Sequence, residues 1–139
     1  MNNVYTVYCK NRCHKVKNTI GLLFVGLGGF IGAVFRFLIS NVFQGSAKFP
    51  LGTLGVNVIG SFVLSFITYS SEQSLGLPES SRLFITVGML GAFTTMSTFS
   101  LETFRLLEQK EYLLFIGNFA LNNALCLGGI YLGKLFSWV

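Results

Sequence analysis

Five hydroxyl side chains crowd into residues 88–100, whose sequence GMLGAFTTMSTFS is otherwise small and apolar: Thr94, Thr95, Ser97, Thr98 and Ser100. Serine and threonine compete with a helix for backbone hydrogen bonds, and β-branched residues beside glycine weaken the helix further. The pattern predicts a helix break around residues 91–95, although a simple kink would fit it equally well. A break would free carbonyl oxygens, which are good ligands for a small hard cation.

Two further rows of polar side chains follow helical spacing. The first row, repeating every four residues, consists of Thr53, Asn57, Ser61 and Ser65. The second, with the same spacing, consists of Asn118, Asn122 and Cys126. Residues four apart share one face of a helix, and polar rows in apolar helices commonly serve interhelical hydrogen bonding. Asn57 stands out because its amide offers two N–H donors.

The apolar stretches around these residues carry no Asp, Glu, Lys or His in their middle, and no Ser–His–Asp set or phosphate-binding loop. A proton-coupled transporter normally needs a titratable residue in the membrane, so the lack of one argues against that class. The lack of a catalytic set or a phosphate-binding loop argues against an enzyme. Neutral amides, hydroxyls and the positive edges of aromatic rings remain. Such donors suit a small anion, because without a full positive charge they would not hold it too tightly to leave.

The elements that carry these residues are long and apolar. The chain is 52% hydrophobic and 11% charged, whereas soluble domains carry roughly 25% charged residues. Four stretches exceed or approach the roughly 20 helical residues that a bilayer requires, with Arg36 as their only charge: residues 19–40, 49–71, 83–101 and 112–133. They are too long and too little alternating for barrel strands. We therefore predict an all-α membrane protein with four transmembrane helices, the third of them broken mid-membrane.

Residues 1–18 form a basic tail ahead of the transmembrane unit at residues 19–139. A basic flank of this kind favours a cytoplasmic location and a lipid bilayer as the partner, with no nucleic acid. The tail also contains Cys9, Cys13 and His14, which together would make only a weak metal site.

The charges between the spans point in both directions. With four spans the two termini share one side, which apart from the tail carries Arg82 and Lys134. The opposite side carries Arg36, Lys48, Arg105 and Lys110. The tail therefore favours one orientation and the loops the other, a balance that fits a protein inserting both ways round.

At this point the sequence resembles a known family, the small fluoride channels called CrcB or Fluc. Besides GMLGAFTTMSTFS, the matching pieces are GGFIGAVFR at residues 28–36, PLGTLGVNVIGSF at residues 50–62 and the polar row in the fourth span. The resemblance covers about residues 26–133. It implies passive export of cytoplasmic fluoride across a bacterial-type plasma membrane by an antiparallel, dual-topology homodimer with two pores. A heterodimer with a paralogue is the alternative assembly.

The resemblance also implies residue roles. Asn57 would donate to fluoride, Phe99 would present its ring edge, and Arg36 would belong to a vestibule. Ser97, Thr98, Asn122 and Cys126 would lie along the polar path. A structural Na⁺ at the dimer centre would be held by the backbone carbonyls of Gly91 and Thr94.

The chain departs from the family pattern at four positions. The family usually has phenylalanine at Met96, so one ring edge of the pore is missing here. It usually has glycine at Ala92, tyrosine at Phe37 and serine at Cys126. A thiol is a weaker hydrogen-bond donor than a hydroxyl.

Two other classes compete with a fluoride channel. A small multidrug exporter with four spans should carry a membrane-embedded glutamate, whereas the sequence predicts every glutamate at or outside a span end: Glu72, Glu79, Glu102, Glu108 and Glu111. A non-transporting membrane scaffold would leave the clustered hydroxyls of the third span with no purpose beyond packing.

Overall fold

The computed structural model describes residues 19–71 and 76–137, and the basic tail with Cys9, Cys13 and His14 lies outside them. The described part is helical throughout, with short connections. We number the α-helices in chain order: α1 Thr19–Gln44, α2 Leu51–Ser70, α3 Glu79–Arg82, α4 Leu90–Phe93, α5 Met96–Glu108 and α6 Tyr112–Phe136. A π-helical segment, Leu83–Met89, joins α3 to α4.

Four of these helical units are long and apolar enough to cross a bilayer: Ile20–Gln44, Leu51–Ser70, Glu79–Glu108 and Tyr112–Phe136. This confirms the predicted all-α architecture with four spans. The third span, Glu79–Glu108, is longer at both ends than the predicted residues 83–101. The prediction ended the span at charged residues, but a helix continues beyond the hydrocarbon core when its terminal charges reach water.

Glycines set the contact between α1 and the third span. A Cβ on Gly28 would collide with the carbonyl oxygen of Phe84, and one on Gly32 with that of Met89. From the other side, a Cβ on Gly88 would lie 2.7 Å from the Val25 oxygen. The two backbones therefore touch, as the G-x-x-x-G spacing of α1 predicts.

A second close contact joins α2 to α6. A Cβ on Gly129 would lie 3.2 Å from the Val58 oxygen, and one on Gly133 would collide with the Phe62 oxygen. The Ser65 hydroxyl donates across this interface to the carbonyl of Ile130 at 2.6 Å. The polar row of α2 therefore faces protein, and one of its members makes an interhelical hydrogen bond.

The interior of the bundle is polar and its surface is apolar. Buried polar residues include Thr53, Ser65, Asn118 and Asn122, whereas large side chains such as Phe30 and Leu113 are exposed. This distribution reverses that of a soluble domain and is stable where lipid covers the apolar side chains.

The third span is interrupted between α4 and α5. Thr94 has φ −79° and ψ 154°, and Thr95 has φ −148° and ψ 114°, so both are extended. Thr95 also caps α5, because its hydroxyl accepts from the Thr98 N–H at 3.3 Å. The interruption falls inside the segment 91–95 where the sequence predicts a break, while Gly91 itself remains in α4.

Candidate functional site

The Asn57 side chain occupies the place where the third span is interrupted. Its Oδ1 accepts from the Thr95 N–H at 2.9 Å, and its Nδ2 donates to the Thr95 carbonyl at 3.2 Å. In a continuous helix the Thr95 N–H would donate to the carbonyl four residues back, that of Gly91. Asn57 takes that donor instead, so the amide of α2 stabilises the extended backbone and releases the Gly91 carbonyl.

Three asparagines from two helices then form a continuous hydrogen-bonded line, which we call the amide row: Asn57, Asn122 and Asn118. Asn57 Nδ2 donates to Asn122 Oδ1 at 3.1 Å, and Asn122 Nδ2 donates to Asn118 Oδ1 at 3.0 Å. Asn118 is completely buried. The polar faces of α2 and α6 therefore meet, a pairing that the sequence analysis did not predict.

The amide row ends on α5. Asn118 Nδ2 donates to the Thr103 hydroxyl at 2.8 Å, and that hydroxyl donates to the Phe99 carbonyl at 2.6 Å. Thr103 is buried and was not among the predicted site residues. Interhelical partners 15 residues apart, as these are, leave no periodic signal in a sequence.

The hydroxyl cluster lies around the start of α5. The Thr95 hydroxyl donates to that of Thr98 at 3.0 Å and lies 3.4 Å from that of Ser97. Ser97 is exposed and Thr98 is half-buried. The Ser100 hydroxyl instead donates to the Met96 carbonyl at 2.9 Å. Thr95, Ser97 and Thr98 therefore form one cluster, and Thr94 and Ser100 lie outside it.

Phe99 and Met96 lie in different surroundings. Phe99 is 5% exposed, and its ring is stacked on that of Phe119, with centroids 6.3 Å apart and an interplanar angle of 30°. Met96 is 72% exposed. Although the two residues lie one helical turn apart on α5, Phe99 therefore faces the interior of the chain and Met96 faces outward.

The remaining predicted residues lie at the margins of this centre. Gly91 is exposed, and a Cβ there would meet only the Thr86 oxygen, at 3.9 Å. Thr94 is half-buried, and its hydroxyl donates to the Leu90 carbonyl at 3.1 Å. Arg36 on α1 and the free thiol of Cys126 on α6 are both half-buried.

Glu102 was misplaced by the sequence analysis. It lies inside the third span, is half-buried and lies beside the Thr53 side chain of α2. Its Oε2 is buried without a hydrogen-bond partner in the described part of the chain. The misplacement arose because the charge was taken as a span end, whereas Glu102 lies one turn after Phe99 on an inward face of α5.

Apart from the half-buried Glu102, the polar interior is a line of neutral amides and hydroxyls that connects α2, α5 and α6 beside a helix interruption. Neutral donors in a membrane interior attract an anion without binding it as a full charge would. The described residues contain no group of three His, Cys, Asp or Glu side chains able to hold a metal. Backbone carbonyls released at the interruption are the ligands available to a cation.

The chain is similar in sequence to several known proteins. A fluoride-specific ion channel, FluC, of Shewanella loihica is 53% identical over 117 residues, which cover 81% of this chain and 92% of that protein. FluC 1 of Methanosarcina acetivorans is 46% identical over 115 residues, covering 82% and 88%. FluC of Methanococcus aeolicus is 47% identical over 116 residues, covering 84% and 94%. The family model described as CrcB-like protein, Camphor Resistance (CrcB), matches residues 23–134. The chain therefore belongs to the CrcB-like family, as its motifs predict.

Proposed function

We propose that this multi-pass membrane protein is a fluoride-selective channel through which fluoride leaves the cytoplasm passively. The observation that carries the proposal is the uncharged amide row beside the interrupted third span, in a chain whose relatives are named fluoride-specific ion channels. Ion channels are not enzymes, which agrees with the sequence prediction. A passive path needs donors weak enough to release the ion, and neutral amides meet that need.

Fluoride would meet Asn57 and Asn122 in competition with their existing partners. Both N–H groups of Asn57 already have acceptors, the Thr95 carbonyl and Asn122 Oδ1. An anion passing the row takes over a donor from one of these oxygens, which makes binding brief. Phe99 would support this path with its ring, and Ser97 would lie along the path at the start of α5.

The other predicted site residues would form the outer parts of the path. Thr98 and Cys126 are half-buried on α5 and α6 and extend the line of weak donors. Arg36 is half-buried on α1, about two turns before the first span ends at Gln44, and its charge would attract anions into a vestibule without occupying the pore.

The assembly we propose is an antiparallel, dual-topology homodimer. It is supported by a face of the third span that exposes Gly91 and the hydroxyl residues Ser97 and Ser100 beside Met96. A second copy covers such a face better than acyl chains do. In the antiparallel arrangement the exposed side chain of Met96 would be covered by the other copy.

Gly91 and Thr94 fit a Na⁺ site at the centre of that dimer. The Gly91 carbonyl has lost its helical donor to Asn57, and Thr94 is extended immediately before the interruption. Gly91 is exposed, and without a side chain it would let a second copy approach its carbonyl closely. Two copies would supply four oxygen ligands, the type that hard cations prefer. The ion would neutralise carbonyls that are costly to leave unpaired at mid-membrane depth.

Growth of cells in fluoride tests the function. Neutral hydrogen fluoride crosses membranes and ionises inside, so cells lacking this protein should become sensitive to fluoride, and more so in acidic medium. Expression of the intact chain should restore growth, while an Asn57→Asp variant should not. Growth unchanged by deletion in a strain with no paralogue would contradict the proposal. A drug exporter would instead alter sensitivity to organic cations.

A further inference from the structure

The amide row has a direction that its two ends determine. At one end the Thr95 N–H can only donate, so Asn57 must turn Oδ1 toward it. At the other end the single proton of the Thr103 hydroxyl goes to the Phe99 carbonyl. Towards Asn118 that hydroxyl can therefore only accept, and Asn118 must turn Nδ2 to it.

The direction decides which group of Asn122 is left for a permeating ion. With Asn118 held by Thr103, Asn118 Oδ1 faces Asn122 and accepts from its Nδ2 at 3.0 Å. The second N–H of Asn122 reaches only the Asn118 backbone oxygen, at 3.4 Å, well beyond the usual distance of about 2.9–3.0 Å. One N–H of Asn122 is therefore only weakly hydrogen-bonded within the chain.

We propose that Thr103 is a positioning residue for permeation: acting through Asn118, its hydroxyl orients the Asn122 amide so that an N–H, and not an oxygen, is offered to the anion. Without that hydroxyl, the completely buried Asn118 loses the acceptor for its Nδ2. A buried donor left without an acceptor is costly, and that cost favours rotation of the Asn118 amide out of its present orientation. Asn118 Oδ1 then no longer accepts from Asn122 Nδ2, and only the hydrogen bond from Asn57 Nδ2 to Asn122 Oδ1 at 3.1 Å still orients the Asn122 amide. With one hydrogen bond in place of two, that amide turns its N–H away from the path part of the time, which lowers the flux.

The test compares Thr103→Val, which keeps the shape and removes the hydroxyl, with Thr103→Ser, which restores it. This inference rests on the proposed function, so two readouts are needed. In liposomes containing purified full-length protein, Thr103→Val should lower fluoride flux about tenfold, the size expected for losing one hydrogen bond in the path. Thr103→Ser should stay within about twofold of the wild type on the same reasoning.

The matched control is Ser65→Ala. Like Thr103, Ser65 is buried and its hydroxyl makes an interhelical hydrogen bond, which it donates to the Ile130 carbonyl at 2.6 Å, but it lies outside the amide row. Its loss should destabilise the protein about as much as Thr103→Val and leave fluoride flux unchanged.

The second readout is the side-chain amide NMR signal of Asn122 in the purified protein, which does not depend on transport. It should move in Thr103→Val and keep its position in Thr103→Ser, although Asn122 has no direct bond to Thr103. An Asn122 signal that is unmoved in Thr103→Val, or flux that is unchanged, would overturn the proposal. If the wild type passes no fluoride, the proposed function fails, and the Asn122 signal still decides whether Thr103 orients the row.

Discussion

At the scale of one residue, the Asn57 side chain makes two kinds of contact. Its amide holds both backbone groups of Thr95, and it also begins the amide row at Asn122. The first task requires an oxygen and a nitrogen on the same side chain. The second requires a spare N–H, which only an amide provides alongside the other two groups.

Asn57→Asp should therefore abolish fluoride flux. The carboxylate keeps an acceptor for the Thr95 N–H but opposes two oxygens, the Thr95 carbonyl and Asn122 Oδ1, and places a negative charge in an anion path. The measurement is fluoride efflux from liposomes, with elution at the same volume as the wild type as the check on folding. A well-folded Asn57→Asp protein that conducts like the wild type would show that this amide does not line the path.

Phe99→Ile should lower fluoride flux about tenfold, because the ring edge is lost while most of the bulk remains. Met96→Phe is the matched substitution, since it restores the residue that the family usually has at a largely exposed position. It should retain flux at or above the wild-type level in the same assay. Equal flux in Phe99→Ile and the wild type would remove Phe99 from the pore.

At the scale of the elements, four spans could be predicted because lipid requires about 20 apolar residues and the chain supplies them four times. The interruption near Thr95 could be predicted because hydroxyls and glycine weaken a helix locally. The π-helical turn, Leu83–Met89, could not, since no residue spacing distinguishes it from an α-helix. The partners of Asn57 could not either, because they lie 38 and 65 residues away along the chain.

Glycines of α1 provide a test of helix packing with a control on the same helix. Gly32→Ala should destabilise the protein by about 1–3 kcal/mol, the usual cost of overpacking, because its Cβ would collide with the Met89 oxygen. Gly26→Ala meets nothing within 4 Å and should be neutral or slightly stabilising, since alanine favours a helix. The measurement is thermal unfolding in detergent. Equal unfolding temperatures for both variants would contradict the close contact between α1 and the third span.

At the scale of the whole molecule, one chain leaves its third span incomplete. Gly91 is exposed, and its carbonyl has lost its helical donor to Asn57. A second copy around a shared Na⁺ would cover the glycine and bind the carbonyl. Protein purified throughout without sodium should therefore unfold at a lower temperature than protein purified with it, because an ion that binds only the folded dimer stabilises it. The sodium-free buffer would contain a large organic cation in place of Na⁺. Identical unfolding temperatures in the two buffers would indicate that water, and not Na⁺, occupies this centre.

The central claim is that neutral donors let fluoride cross while other anions stay out, and halide flux from liposomes tests it most directly. Purified wild-type protein should release fluoride rapidly down its gradient, and release chloride no faster than protein-free liposomes do. The amide row offers N–H groups in a narrow, neutral path, which suits a small anion that accepts strong hydrogen bonds. Equal rates for fluoride and chloride, or no release of either ion, would contradict the account.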